Sequence, residues 1–115
     1  MDDRPREKML SRGAGALSNA ELLAILLRTG TGGKNVVDVA REMLAAADGR
    51  LGELASRSAE KLCAVDGVGP GKAVTVVAAF ELGRRLAEEA ARGNEYAGIY
   101  YPQVLRMSRR KLFPI

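Results

Sequence analysis

A chain of 115 residues that is 47% hydrophobic and 28% charged has room for one globular domain, and its composition argues against wholesale disorder. It holds no histidine and a single cysteine, Cys63, so the usual general base, zinc ligand and triad partner are missing and no internal disulfide can form. The net charge of +4 comes wholly from Arg106, Arg109, Arg110 and Lys111, because residues 1–95 carry fourteen basic and fourteen acidic side chains.

Taken in chain order, the elements are helical, in keeping with the abundance of alanine and leucine. Met1-Asp2-Asp3-Arg4 lacks the apolar stretch of a signal peptide, and Pro5 suits the first turn of a short helix that Gly13-Ala14-Gly15 ends. Ser18 and Glu21 have the spacing of a capping box and open a second helix reaching about Arg28. That helix is apolar on most faces (Leu22, Leu23, Ile25, Leu26, Leu27) and is expected to be the central buried one, too short to span a bilayer. From about Asn35 to Ala47, Val36, Val39, Ala40, Met43 and Leu44 recur at helical spacing, and Asp48-Gly49 closes the element. Leu51 to Ala55 reads as one short turn carrying Leu51 and Leu54 inward. Ser58 is a suitable N-cap for residues 59–64. Lys72 to about Ala91 is predicted as the longest helix, with Val76, Val77, Phe80, Leu82 and Leu86 as its inner stripe and Glu81–Arg85 as an i,i+4 pair. Residues 96–115 show no helical pattern of useful length and read as a basic tail.

The stretch Val65-Asp66-Gly67-Val68-Gly69-Pro70-Gly71-Lys72-Ala73 carries the most information. Two helices must reverse within a few residues, which calls for glycine where φ is positive. Val68 is the apolar peg that pins the turn to the core. Gly69, Gly71 and Lys72 stand at the start of the second helix, where free backbone N–H groups and the helix dipole form a ready anion site, and Lys72 adds a full charge. A nucleic-acid phosphate fits such a site, and a grip confined to backbone carries no base preference.

An earlier run, Gly30-Thr31-Gly32-Gly33-Lys34, echoes this pattern 37 residues upstream, with Lys34 near the place of Lys72 once one residue is skipped. The echo points to an internal duplication: two helix-hairpin-helix units related by a pseudo-two-fold axis, able together to engage both strands of a duplex. Thr31 in place of the apolar peg makes the first copy degenerate. The plainer readings are that a Gly-x-Gly between helices is only a turn, and that Cys63 is a small core residue. By the same logic, Glu88-Glu89 and Arg84-Arg85 decorate a solvated face, and Arg109-Arg110-Lys111 either adds non-specific affinity or is an unstructured end. The nucleotide-type phosphate loop is absent, since no Gly-x-x-x-x-Gly-Lys-Ser/Thr occurs.

The runs Arg4-Pro5-Arg6-Glu7-Lys8, Leu17 to Gly30 and Asp66 to Ala73, followed by Glu81-Leu82-Gly83-Arg84-Arg85, resemble the amino-terminal region of the RadC family over about Arg4 to Leu86. The resemblance implies the paired-hairpin fold and a link with DNA repair. It also implies, in whole family members, a following metalloprotease-like domain of the JAB/MPN type that needs a His-x-His with downstream Ser and Asp. No histidine occurs and few residues follow the match, so that domain is expected to be absent here.

The reading is therefore an all-α bundle of about five helices over residues 1–95, followed by the tail 96–115. The function expected is a non-enzymatic, cytoplasmic, sequence-independent module for duplex or branched DNA. Its candidate contacts are Gly67, Val68, Gly69, Gly71 and Lys72, helped by Gly30, Gly32 and Lys34, with a monovalent cation among the hairpin carbonyls as an optional companion and no other metal or cofactor. The alternative is a protein-interaction or scaffold domain that keeps the fold without binding DNA, which the neutral charge of residues 1–95 favours.

Overall fold

In the computed structural model, residues 4–92 are described; the expected tail at 96–115 lies outside them. Six α-helices and one 3-10 turn make up the described residues: α1 (Arg4–Arg12), the turn Ala14–Ala16, α2 (Asn19–Leu27), α3 (Val36–Ala46), α4 (Leu51–Ala55), α5 (Ala59–Leu62) and α6 (Pro70–Arg92). The sixth helix beyond the expected five is α4, which the sequence presents as a mere turn.

Local chemistry fixes most of the boundaries. Ser18 Oγ accepts from the Glu21 N–H at 3.1 Å, and the Glu21 carboxylate accepts from the Ser18 N–H at 2.8 Å, which completes the capping box of α2. Asn35 caps α3 by accepting from the Asp38 N–H at 2.9 Å, and Ser58 caps α5 by accepting from the Lys61 N–H at 3.2 Å. At the far end of α3, Asp48 and Gly49 both take positive φ, and the Gly49 N–H donates back to the Leu44 carbonyl at 2.8 Å. Arg57 reaches the same helix end and donates to the Ala46 carbonyl at 2.9 Å.

The core is one aliphatic cluster. Leu23, Ala24 and Leu27 from α2 meet Val36, Val39, Ala40 and Met43 from α3, closed by Leu54, Leu62, Val68, Ala73 and Val76. Full burial of Leu27, Met43, Leu54 and Leu62 contributes about 1.5–3 kcal/mol each from water exclusion. α6 leans on α5 and α2 through its first half only.

Three expectations need correction here. Leu82 and Leu86, placed on the inner stripe of α6, are 68% and 48% exposed, because the helix outruns the body it packs against. Leu51 is also exposed, and Leu54 alone carries α4 into the core. α6 begins at Pro70, two residues before the predicted start, since proline loses nothing in a first helical turn.

Candidate nucleic-acid interface

The two glycine-bearing loops, residues 28–35 and 63–69, lie against each other. Thr31 Oγ1 donates to the Gly67 carbonyl at 3.4 Å, and Lys34 pairs with Asp66 at 3.0 Å. From the other side Lys72 donates to the Leu27 carbonyl at 2.8 Å, the Thr29 carbonyl at 2.7 Å and Thr29 Oγ1 at 3.3 Å. Asp66 follows Thr29 by 37 residues, the same offset that separates the two glycine runs. Each loop's lysine thus reaches the matching residue of the other loop.

That arrangement redefines both lysines. Lys72 compensates the C-terminal end of α2, where carbonyls lack helical partners. Lys34 lies between Glu42, at 2.8 Å, and Asp66. The hydrogen bond that Lys34 donates to Glu42, seconded by the one to Asp66, holds its ammonium above its ordinary pKa. Both cations are engaged within the fold and do not point freely at solvent.

The glycines divide by physical need. A Cβ on Gly30 would overlap the Lys34 carbonyl oxygen, so the chain can cross itself there only with glycine. Gly67 has φ of 92°, and a Cβ on it would meet Val39 Cγ2 at 3.3 Å. Gly32 takes a φ of 60°, which glycine adopts without strain. Gly69 and Gly71 are different: neither takes positive φ, and nothing lies within 4 Å of a Cβ built on either. Both are exposed at the open start of α6, while Val68, between Gly67 and Gly69, is 4% exposed and fills the peg position.

Arg28 is a residue the sequence does not single out. It ends α2 at φ 73°, ψ −56°, and the Thr29 N–H donates over it to the Leu27 carbonyl at 2.8 Å. This is a three-residue γ-turn of the positive-φ kind, a conformation that costs a residue with a Cβ about 1–3 kcal/mol. The one available signal was a helix running directly into Thr29-Gly30 with no glycine at its end.

The carbonyls before α6 that the expected monovalent cation would use are already acceptors: Leu62 from the Val65 N–H at 3.1 Å, Val65 from the Val68 N–H at 3.0 Å, and Gly67 from Thr31. Each keeps a second lone pair, so the set is compatible with such an ion and does not require one. Among the described residues no three His, Cys, Asp or Glu side chains gather as a metal group, and no helix is long and apolar enough to cross a membrane. Cys63 is half-buried at the end of α5.

The family model described as UPF0758 N-terminal matches residues 1–74. Among curated relatives, a UPF0758 protein of Dechloromonas aromatica is 54% identical over 90 residues, covering 77% of this chain and 40% of the relative. One from Trichlorobacter lovleyi is 44% identical over 120 residues, covering 97% and 52%. One from Moorella thermoacetica is 56% identical over 84 residues, covering 73% and 36%. The chain thus spans roughly half or less of the relatives it matches. No solved structure matches it.

Proposed function

The chain belongs to the UPF0758 N-terminal family, and from that premise and the geometry of the two loops we propose that residues 4–92 form a non-catalytic module that grips the backbone of duplex DNA without reading its sequence. The observation that carries the reading is Gly71. It stands in the first turn of α6, where alanine would be the better helix former and would fit, so the fold has no use for glycine there. Close approach of a ligand to the backbone does. The free N–H groups at this helix start, with the positive end of a 23-residue dipole, suit a phosphate. Gly69 extends the same open surface.

In this reading the first loop is the supporting partner. Gly30 and Gly32 are explained by its path, and Lys34 by its ion pairs, so the grip rests on the loop before α6. The motif resemblance to RadC proteins supports a DNA-repair setting. With both loop lysines engaged, affinity is weak.

The test is fluorescence anisotropy of a labelled duplex across about 0.05 to 0.2 M salt. The expected result is weak binding that falls as salt rises, and that is lowered in Gly71→Ala although this variant is at least as stable as the wild type. Absence of wild-type binding at the lowest salt overturns the reading. Changing Arg106, Arg109, Arg110 and Lys111 to glutamine must leave a salt-dependent remainder, otherwise these four cations explain the affinity alone. Lys72→Glu is a poor probe, because it also removes the cap on α2.

A second reading, a protein-interaction domain, is favoured by the exposed Leu82 and Leu86 on the second half of α6. It predicts that a Leu82→Glu, Leu86→Glu variant loses a protein partner while its affinity for DNA is unchanged.

A further inference from the structure

We infer that Arg28, and neither loop lysine, supplies the full positive charge that meets a DNA phosphate on this face; the inference rests on the DNA-backbone reading above. Three basic side chains belong to the two loops and the first turn of α6: Arg28, Lys34 and Lys72. Lys34 is held by Glu42 and Asp66, and Lys72 by three oxygens of the first loop. The Arg28 side chain is exposed and makes no hydrogen bond or ion pair with another described residue.

Its backbone makes the case stronger. The γ-turn at Arg28 needs a positive φ, and glycine would supply that without strain. Since the side chain is solvent-facing and unpartnered, the fold would be better served by glycine. An arginine kept against the backbone's preference has its use outside the fold. The turn is held in place by Lys72, whose ammonium binds the carbonyls on both sides of Arg28, Leu27 and Thr29. Lys72 directly follows Gly71 in the chain, so the turn sits within one lysine side chain of the helix start that offers its N–H groups. A guanidinium fork there matches two oxygens of one phosphate, next to the phosphate taken by the amides.

The experiment uses the full chain and the labelled duplex, with Arg28→Lys, Arg28→Gln and Arg28→Gly, and a thermal melt of each. Arg28→Gln is expected to weaken binding about fivefold at 0.15 M salt and to flatten the slope of log affinity against log salt by about 0.9, the share of one neutralised phosphate. Arg28→Lys keeps the slope. Arg28→Gly loses the same affinity while its melting temperature rises, which a purely structural arginine would not do. If Arg28→Gln and Arg28→Gly bind with wild-type affinity and slope, the inference is overturned. When Gly71→Ala weakens binding and the Arg28 variants do not, it falls alone. Failure of the wild type to bind at low salt removes it together with the reading on which it rests.

Discussion

Glycine at position 67 and glycine at position 71 answer to different forces, although only a Val-Gly-Pro separates them. Gly67 is set by the fold: positive φ and the approach of Val39 both exclude a side chain. Gly67→Ala should therefore destabilise by about 1–3 kcal/mol, read as a lowered denaturant midpoint. Gly71→Ala should gain about 0.5–1 kcal/mol in the same measurement, because it adds a helix-favouring residue where nothing obstructs a Cβ. Opposite signs within five residues would separate the glycine that shapes the turn from the glycine that leaves the backbone open. A loss in both would mean that the start of α6 is packed more tightly than the geometry indicates.

At the scale of elements, the helix starts were the most legible part of the sequence. Ser18, Asn35 and Ser58 act on N–H groups three residues away, so the information needed lies within one turn. Ser18→Ala should cost about 1 kcal/mol and fray α2. The acid partner in that box adds a pH signature. The Ser18 N–H, and after it the Lys8 ammonium, hold the Glu21 carboxyl below its usual 4.5. Arg84, and then Arg85, bring Glu81 down to about 2. A carboxylate with a depressed folded-state pKa contributes stability above its unfolded value, and that contribution disappears as pH falls through the folded value. Melting temperature should thus hold from neutral pH to about 4.5 and decline from there towards about 2. Glu81→Gln should shrink that decline; an identical acid curve would show that the Arg84 and Arg85 contacts contribute nothing in solution. What the pattern could not give was where α6 leaves the body. Leu82 and Leu86 have the spacing of core residues, but burial depends on whether another element stands opposite, and no local signal records that.

For the molecule as a whole, the helical class and most of the core follow from periodicity, with Leu51, Leu82 and Leu86 the exceptions, and the 37-residue echo locates the two loops. The use of the lysines did not follow. The sequence neighbours of Lys34 and Lys72 resemble a phosphate grip and suggest outward charges, whereas their partners, Asp66 and Thr29, are supplied from across the fold. Asp66 at the offset that pairs it with Thr29 was the available clue, visible only once the two loops are known to touch.

The crosswise lysines also bear on how the chain divides. Residues up to Ala47 and residues from Leu51 onward each hold only part of the aliphatic core and one end of each strap, and the join between them, residues 48–50, is exposed. Two tandem modules with private cores would survive separation; these halves should not. Produced as separate polypeptides broken after Gly49, each piece should lack fixed structure by circular dichroism, and mixing them should restore the helical signal as a one-to-one complex. Lys72→Met in the second piece should impair that reassembly, which makes fragment complementation a direct gauge of how far the two halves form a single cooperative unit.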